Sequence, residues 1–194
     1  VPLTDDWFLG GAATGPLTLL WPHRWEYDKA PGRFFAALER LVERGVDFRV
    51  HVLGQQFRDS PAVFGRARER LGDRIGEWGV ITDRERYRAV LRASHVVVST
   101  ALHDFQGLAM LEAMAAGCVP AAPDRLAYRD FIPADHRWPS TPDDPEAEVA
   151  ALADHLTDLA RAHAAGGLPP APDLDHLRWS RLRPAYAAVL AEAA

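Results

Sequence analysis

HVVVSTALHDFQGLAMLEAMAAGCVPAAP, residues 95–123, contains a strand, a loop, a helix and a second strand in close succession. HVVVST is a β-branched apolar run, the pattern of a buried strand. GLAMLEAMAAG is a compact apolar helix closed by Gly117, and CVPAAP reads as one more short strand. Strands joined by one helix run parallel, because the helix carries the chain back across the sheet before the next strand begins. The same unit repeats upstream. LTLLW (17–21) is a strand, followed by a polar turn and a helix-period segment over 32–43 with Phe34, Phe35, Leu38, Leu41 and Val42 in its apolar stripe. DFRVHVLG (47–54) alternates as a strand, and SPAVFGRARERL (60–71) begins a helix with Ser60 as N-cap and Pro61 at its first position. IGEWGVI (75–81) is a weaker strand, and TDRERYRAVLRAS a helix capped by Thr82. The expected fold class is α/β, a doubly wound parallel sheet. In such sheets ligands sit outside the carboxyl ends of the strands, which directs attention to the loops after Trp21, Gly54, Trp78 and Thr100.

Downstream, a helix is expected near 146–164, then a Gly/Pro break, AAGGLPPAP, and a final amphipathic segment over 177–192 that Pro184 kinks. This tail either packs on the sheet or reaches across to a partner domain. No apolar run approaches the roughly 20 residues a membrane helix needs. The single Cys118 excludes an internal disulfide, and VPLTDDWFLGG lacks the basic start and apolar core of a secretion signal, so a cytoplasmic, reducing setting is expected. With 22 basic and 27 acidic residues the net charge is -5, which is not the footprint of a nucleic-acid-binding surface. The arginines between Arg66 and Arg92 are interleaved with acids and read as solvated helix faces.

Chemistry concentrates in two loops. Glu112 lies in the middle of an apolar helix, where an unpartnered charge costs several kcal/mol, so something must hydrogen-bond to it. A ribose diol and an arginine of a neighbouring loop both fit that requirement. Phe105, Gln106, Gly107 and Leu108 open the same helix with free backbone N–H groups, an arrangement that attracts phosphate. Asp104, just ahead of them, either caps the helix or faces a ligand hydroxyl. The turn WPHRWEYDKAP (21–31) carries Arg24 and Lys29 at the carboxyl edge of the sheet, where they clamp a diphosphate or serve as ordinary surface charges. His23 and His103 flank the same region as candidate donors to a ligand. His51, His95, His155, His163 and His176 are scattered, and no His/Cys/carboxylate spacing resembles a metal site. The absence of G-x-G-x-x-G after the first strand argues against a nicotinamide-dependent dehydrogenase.

Together these residues resemble the retaining, two-Rossmann-domain (GT-B) glycosyltransferases. Arg24 and Lys29 match the R-x4-K after the first strand of that family's C-terminal domain. Asp104 and Glu112 match its E-x7-E motif, continued here by EAMAAG, and the resemblance spans about 17–133. The wording LLWPHRWEYDKAPGRFF, HVLGQQF and STALHDFQGLAMLEAMAAGCVP is similar to the tRNA-queuosine mannosyltransferase group within it. That resemblance implies a Rossmann-like, nucleotide-sugar-binding domain over 17–194 with C-terminal helices, GDP-mannose as donor, queuosine in a tRNA anticodon as acceptor, and neither a metal nor another cofactor for donor binding. It also implies residue roles. Arg24 and Lys29 would hold the diphosphate, Asp104 the hexose hydroxyls, Gly107 and Leu108 the phosphate and sugar through backbone N–H groups, and Glu112 the ribose. The loop Gly79–Asp83 would receive the base, with Ile81 making backbone contacts. Residues 1–16 would be a linker or strand remnant from an N-terminal acceptor domain that these 194 residues do not include, so the chain alone is expected to transfer no sugar. Asp104 departs from the more usual Glu, shortening the reach by one methylene. Two alternatives stand beside this reading: a related enzyme using a UDP- or ADP-sugar, and a non-catalytic nucleotide-binding module.

Overall fold

The computed structural model describes residues 2–8, 10, 13–56 and 61–192. Six parallel strands, β1 (Thr18–Pro22), β2 (Arg49–Leu53), β3 (Ile75–Gly79), β4 (Val96–Val98), β5 (Val119–Pro123) and β6 (Arg137–Trp138), form one sheet in the order β3-β2-β1-β4-β5-β6. The helices are α1 (Pro31–Glu43), α2 (Val63–Leu71), α3 (Arg84–Arg92), α4 (Leu108–Ala115), α5 (Tyr128–Phe131), α6 (Pro145–Ala164) and α7 (Trp179–Glu192). The strand order reverses between β1 and β4, which lie side by side with Leu19 opposite Val96 and Leu20 opposite Val97. Loops leaving these two strands diverge to opposite faces, opening a crevice at their carboxyl ends.

Period-2 alternation along β1 divides the core into two layers. Leu19 and Trp21 pack with Phe34, Phe35, Leu38 and Leu41 of α1 and with Leu152 and Leu156 of α6. Leu20 points the other way, into Leu91, Met110 and Met114 of α3 and α4. Leu19 and Leu20 are both fully buried, each contributing about 1.5–3 kcal/mol of apolar transfer. The doubly wound sheet is therefore built as expected, with differences at the element ends. Asp83, not Thr82, caps α3, because its Oδ1 accepts from the Arg86 N–H at 2.8 Å, inside the first turn. Helix α2 begins at Val63, not Pro61, since Pro61 only supplies the carbonyl that accepts from Phe64 N–H at 3.3 Å; Ser60 lies outside the described residues. β3 ends at Gly79, where a φ of 103° turns the chain out of the sheet, two residues before the expected Ile81.

The tail divides. α6 packs on α1 and the sheet, whereas no residue of α7 is buried, and Val189 and Leu190 are exposed. At the other end of the chain, Leu3 is buried and forms a parallel bridge with Arg178. No helix among the described residues is long and apolar enough to cross a membrane.

Candidate functional site

The crevice is framed by two loops tied to each other. The Trp21 indole N–H donates to Thr100 Oγ1 at 3.1 Å, and that hydroxyl donates to the Lys29 carbonyl at 2.7 Å. The Leu102 N–H donates to the Asp28 carbonyl at 2.7 Å, and Lys29 Nζ reaches the His103 carbonyl. Gly54 lets the next loop approach: its φ is 146°, and a Cβ there would stand 1.8 Å from the His23 carbonyl oxygen. The β1, β2 and β4 loops thus meet in one fixed arrangement.

Arg24, Asp28, Lys29 and His103–Leu108 line one cavity of about 250 Å³. Lys29 is buried, 3.2 Å from the Asp28 carboxylate, while Arg24 is exposed and paired with Glu26 at 3.1 Å. An exposed pair of that kind contributes only about 0–1 kcal/mol, less than the roughly 1.5–3 kcal/mol of a charge-assisted bond, so Arg24 can leave Glu26 for an anion. Gly107 caps α4 in the left-handed conformation, with φ 62°. A Cβ there would lie 2.8 Å from the Phe131 ring, so glycine also lets α5 pack beneath the loop. Gln106 and His103 are exposed, as is Phe105, at 98%.

Asp104 is not the helix cap. Its Oδ1 accepts from the Gly107 N–H at 3.1 Å, closing the turn ahead of α4, and its Oδ2 accepts from the Tyr128 hydroxyl at 2.9 Å. A second, smaller cavity of about 190 Å³ opens on the other side of Arg24, lined by His23, Leu53, Val80, Ile81 and Tyr87. Neither Gly79 nor Glu112 lines these two cavities; Gly79 borders a separate pocket with Trp25, Phe64 and Trp78. Glu112 takes a hydrogen bond from the Tyr87 hydroxyl at 3.3 Å, and burial raises its pKa. Tyr87 is thus the partner that neither reading of Glu112 had named, and no arginine among the described residues forms a salt bridge with that carboxylate. Tyr87 and Tyr128 belong to no motif that marks them as site residues in the sequence, and Thr100 is marked only as a strand end.

His23 is buried, its Nε2 has no partner among the described residues, and burial holds its pKa down at about 4. His51, His95 and His155 are also shifted down, burial being the largest cause for each. A folded pKa below the unfolded 6.5 means that the unfolded chain binds protons first as pH falls. Stability from these groups is therefore complete above about pH 6.5 and lost as pH falls towards each folded value. Urea midpoints are expected to fall steadily from pH 7 to pH 4.5; a flat profile would contradict the buried neutral histidines.

A parallel sheet of this order, wound by helices on both faces and with cations and a helix N-terminus near its point of reversal, is a Rossmann-like α/β domain. The chain belongs to the family described as glycosyl transferases group 1, which matches residues 16–158. A tRNA-queuosine alpha-mannosyltransferase of Drosophila melanogaster is 42% identical over 120 residues, 62% of this chain and 32% of that protein. A GDP-mannose:cellobiosyl-diphosphopolyprenol alpha-mannosyltransferase of Xanthomonas oryzae pv. oryzae is 27% identical over 116 residues, 59% of this chain and 30% of that protein. The chain therefore spans about a third of the length of these relatives. In structure it is similar to the C-terminal domain of a group 1 glycosyl transferase from Francisella tularensis, with a TM-score of 0.69, 19% identity, and coverage of 86% of this chain and 91% of the other. Sucrose-phosphate synthase from Thermosynechococcus elongatus gives a TM-score of 0.70 at 18% identity, covering 99% of this chain and 51% of the other. The solved structures show the Rossmann-like fold, and the family match makes it a domain of the group 1 glycosyl transferases.

Proposed function

We propose that this domain binds the nucleotide-sugar donor of a mannosyl transfer, with GDP-mannose as donor and queuosine in tRNA as acceptor. The observation that carries the reading is the convergence of Arg24, Lys29 and the N-terminal turn of α4 on one cavity, beside a second cavity bordered by Tyr87, the hydrogen-bond partner of Glu112. In this reading the diphosphate lies between the two cations and the Leu108 end of α4, the hexose against Asp104, the ribose at Glu112, and the base beside Ile81. Negative charge developing on the leaving diphosphate then meets the buried Lys29, the helix end and an Arg24 released from Glu26, and such electrostatic stabilisation is usually the largest single contribution to a step of this kind. Attack by the acceptor hydroxyl on the face the diphosphate leaves would retain configuration and require no nucleophile from this chain. The positive charge comes from side chains and a helix end, so no step is assigned to a metal. Mannose as the sugar, GDP as the carrier and queuosine as the acceptor are supported by the activities for which the two relatives are named, the queuosine-specific one being the more similar.

A ligand that binds only the folded state raises the melting temperature in proportion to RT ln(1 + [L]/Kd). GDP and GDP-mannose at 100 times Kd are expected to stabilise the chain by about 2.7 kcal/mol, and UDP, ADP and their sugars by clearly less. Thermal melts across that panel check the assignment. Equal shifts from all nucleotides would remove the guanine preference, and no shift from any of them would remove the donor site.

A further inference from the structure

We infer that Tyr128 is a positioning residue: its hydroxyl fixes the Asp104 carboxylate where the sugar hydroxyls of a nucleoside-diphosphate donor are received. This rests on the donor-site reading above and adds to it a residue from outside both loops.

Proton bookkeeping gives the hydrogen bonds a direction. An ionised carboxylate only accepts, so the single proton of Tyr128 goes to Asp104 Oδ2, 2.9 Å away. Ser99 Oγ lies 2.7 Å from the Tyr128 oxygen and must then be the donor of that contact, while its own lone pair takes the Ala101 N–H at 3.2 Å. The chain therefore runs from the Ala101 amide through Ser99 and Tyr128 to Asp104. Ser99 and Tyr128 are both fully buried, which keeps water from substituting for either link. Burial and the neighbouring Asp104 raise the phenol pKa, so Tyr128 stays a donor throughout the neutral range.

The carboxylate is pinned at both oxygens, Oδ1 by the Gly107 N–H and Oδ2 by Tyr128, yet each oxygen keeps a lone pair for a ligand in the cavity that Asp104 lines. An aspartate carboxylate is placed by only two torsions, and a hydrogen bond at each of its oxygens leaves it one place to stand. Its shorter reach is then set by Tyr128 and not by side-chain flexibility. The tyrosine ring does a different job: it lies edge-on to Phe131 at 6.0 Å and beneath Gly107, forming the floor of the loop. Removing the hydroxyl alone separates positioning from packing.

Calorimetric titration of GDP and of GDP-mannose into the wild-type chain and Tyr128→Phe provides the test. GDP affinity is expected to stay within about twofold, because the donor reading puts the hexose and not the nucleotide against Asp104, while GDP-mannose affinity falls about tenfold, the scale of one hydrogen bond to a charged group. In an Asp104→Ala background Tyr128→Phe should add no further loss for GDP-mannose. Equal weakening of both ligands, an unchanged GDP-mannose affinity, or additive losses in the double variant would each overturn the positioning role. Failure of the wild-type chain to bind either ligand overturns the donor reading itself, and this role with it. If Tyr128→Phe does not fold, Ser99→Ala breaks the chain one link earlier without touching the ring. It is expected to weaken GDP-mannose alone, by about threefold; equal loss for both ligands, or none, would again overturn the role.

Discussion

Glu148→Gln is expected to lower the folding free energy by about 3–5 kcal/mol. Glu148 is 0% exposed, on the face of α6 that meets α1, and its carboxylate is held by Arg33 and Arg125, with the Thr141 N–H adding a bond at 2.9 Å. Both arginines are nearly buried themselves, at 13% and 10% side-chain exposure. Glutamine keeps the shape but leaves two guanidinium groups facing one neutral amide whose NH2 repels them, and an uncompensated buried charge is what makes such losses large. Replacing the whole cluster with apolar residues is not the neutral change it is in some proteins, because Arg125 has a second task. Its Nε donates to the Ala101 carbonyl at 2.9 Å and its Nη2 to the Thr100 carbonyl at 3.2 Å, pinning the loop that carries His103 and Asp104. For a chain of this size the loss amounts to a melting temperature lower by on the order of 10 °C. Guanidinium unfolding monitored by circular dichroism measures it, and a change under 1 kcal/mol would show that the cluster is not the strut described. Nucleotide affinity should weaken as well, since the β4 loop is no longer tied to α6.

Glu148 could have been read from the sequence, whereas its partners could not. It precedes Val149 and stands four residues before Leu152 on the stripe that continues to Leu156 and Leu159, the same signature of a carboxylate among apolar residues that singled out Glu112. Arg33 lies 115 residues away and Arg125 23 residues away, in a loop with no period, so only the tertiary fold brings them together. The same division holds across the molecule. Strands and helices long enough to show a period, such as β1, β2, α1 and α4, were legible, and their alternation was enough for a parallel sheet. β6 has two residues and α5 four, too few for any pattern, although α5 supplies the tyrosine that holds Asp104. At the site, Arg24, Lys29 and the Gly107 turn were marked by residue type and by position at a strand end. Tyr87 was hidden because its place in α3 made it one more member of an amphipathic face.

Glu112→Gln is expected to move stability and affinity in opposite directions. In the chain without ligand, Glu112 has one hydrogen-bond partner, the Tyr87 hydroxyl at 3.3 Å, and no salt bridge among the described residues. Burial raises its pKa above the ordinary carboxylate value, with Tyr87 and Arg84 only partly opposing. A raised carboxylate pKa means that the folded domain holds the proton more tightly than the unfolded chain. This group therefore adds stability at low pH and takes it away as pH rises through the folded value. At neutral pH its charge is a net cost, and glutamine, which preserves the shape and can still accept from Tyr87, removes it. The melting temperature at pH 7 should stay level or rise. A ribose diol, in contrast, gains from a charged acceptor, and losing it should weaken GDP binding by about 1–3 kcal/mol. Opposite signs distinguish this from any general loosening, which lowers both. Thermal melts and GDP titrations on the same preparation decide it: a lower melting temperature with unchanged GDP affinity would mean that Glu112 holds the fold together and does not meet the ribose.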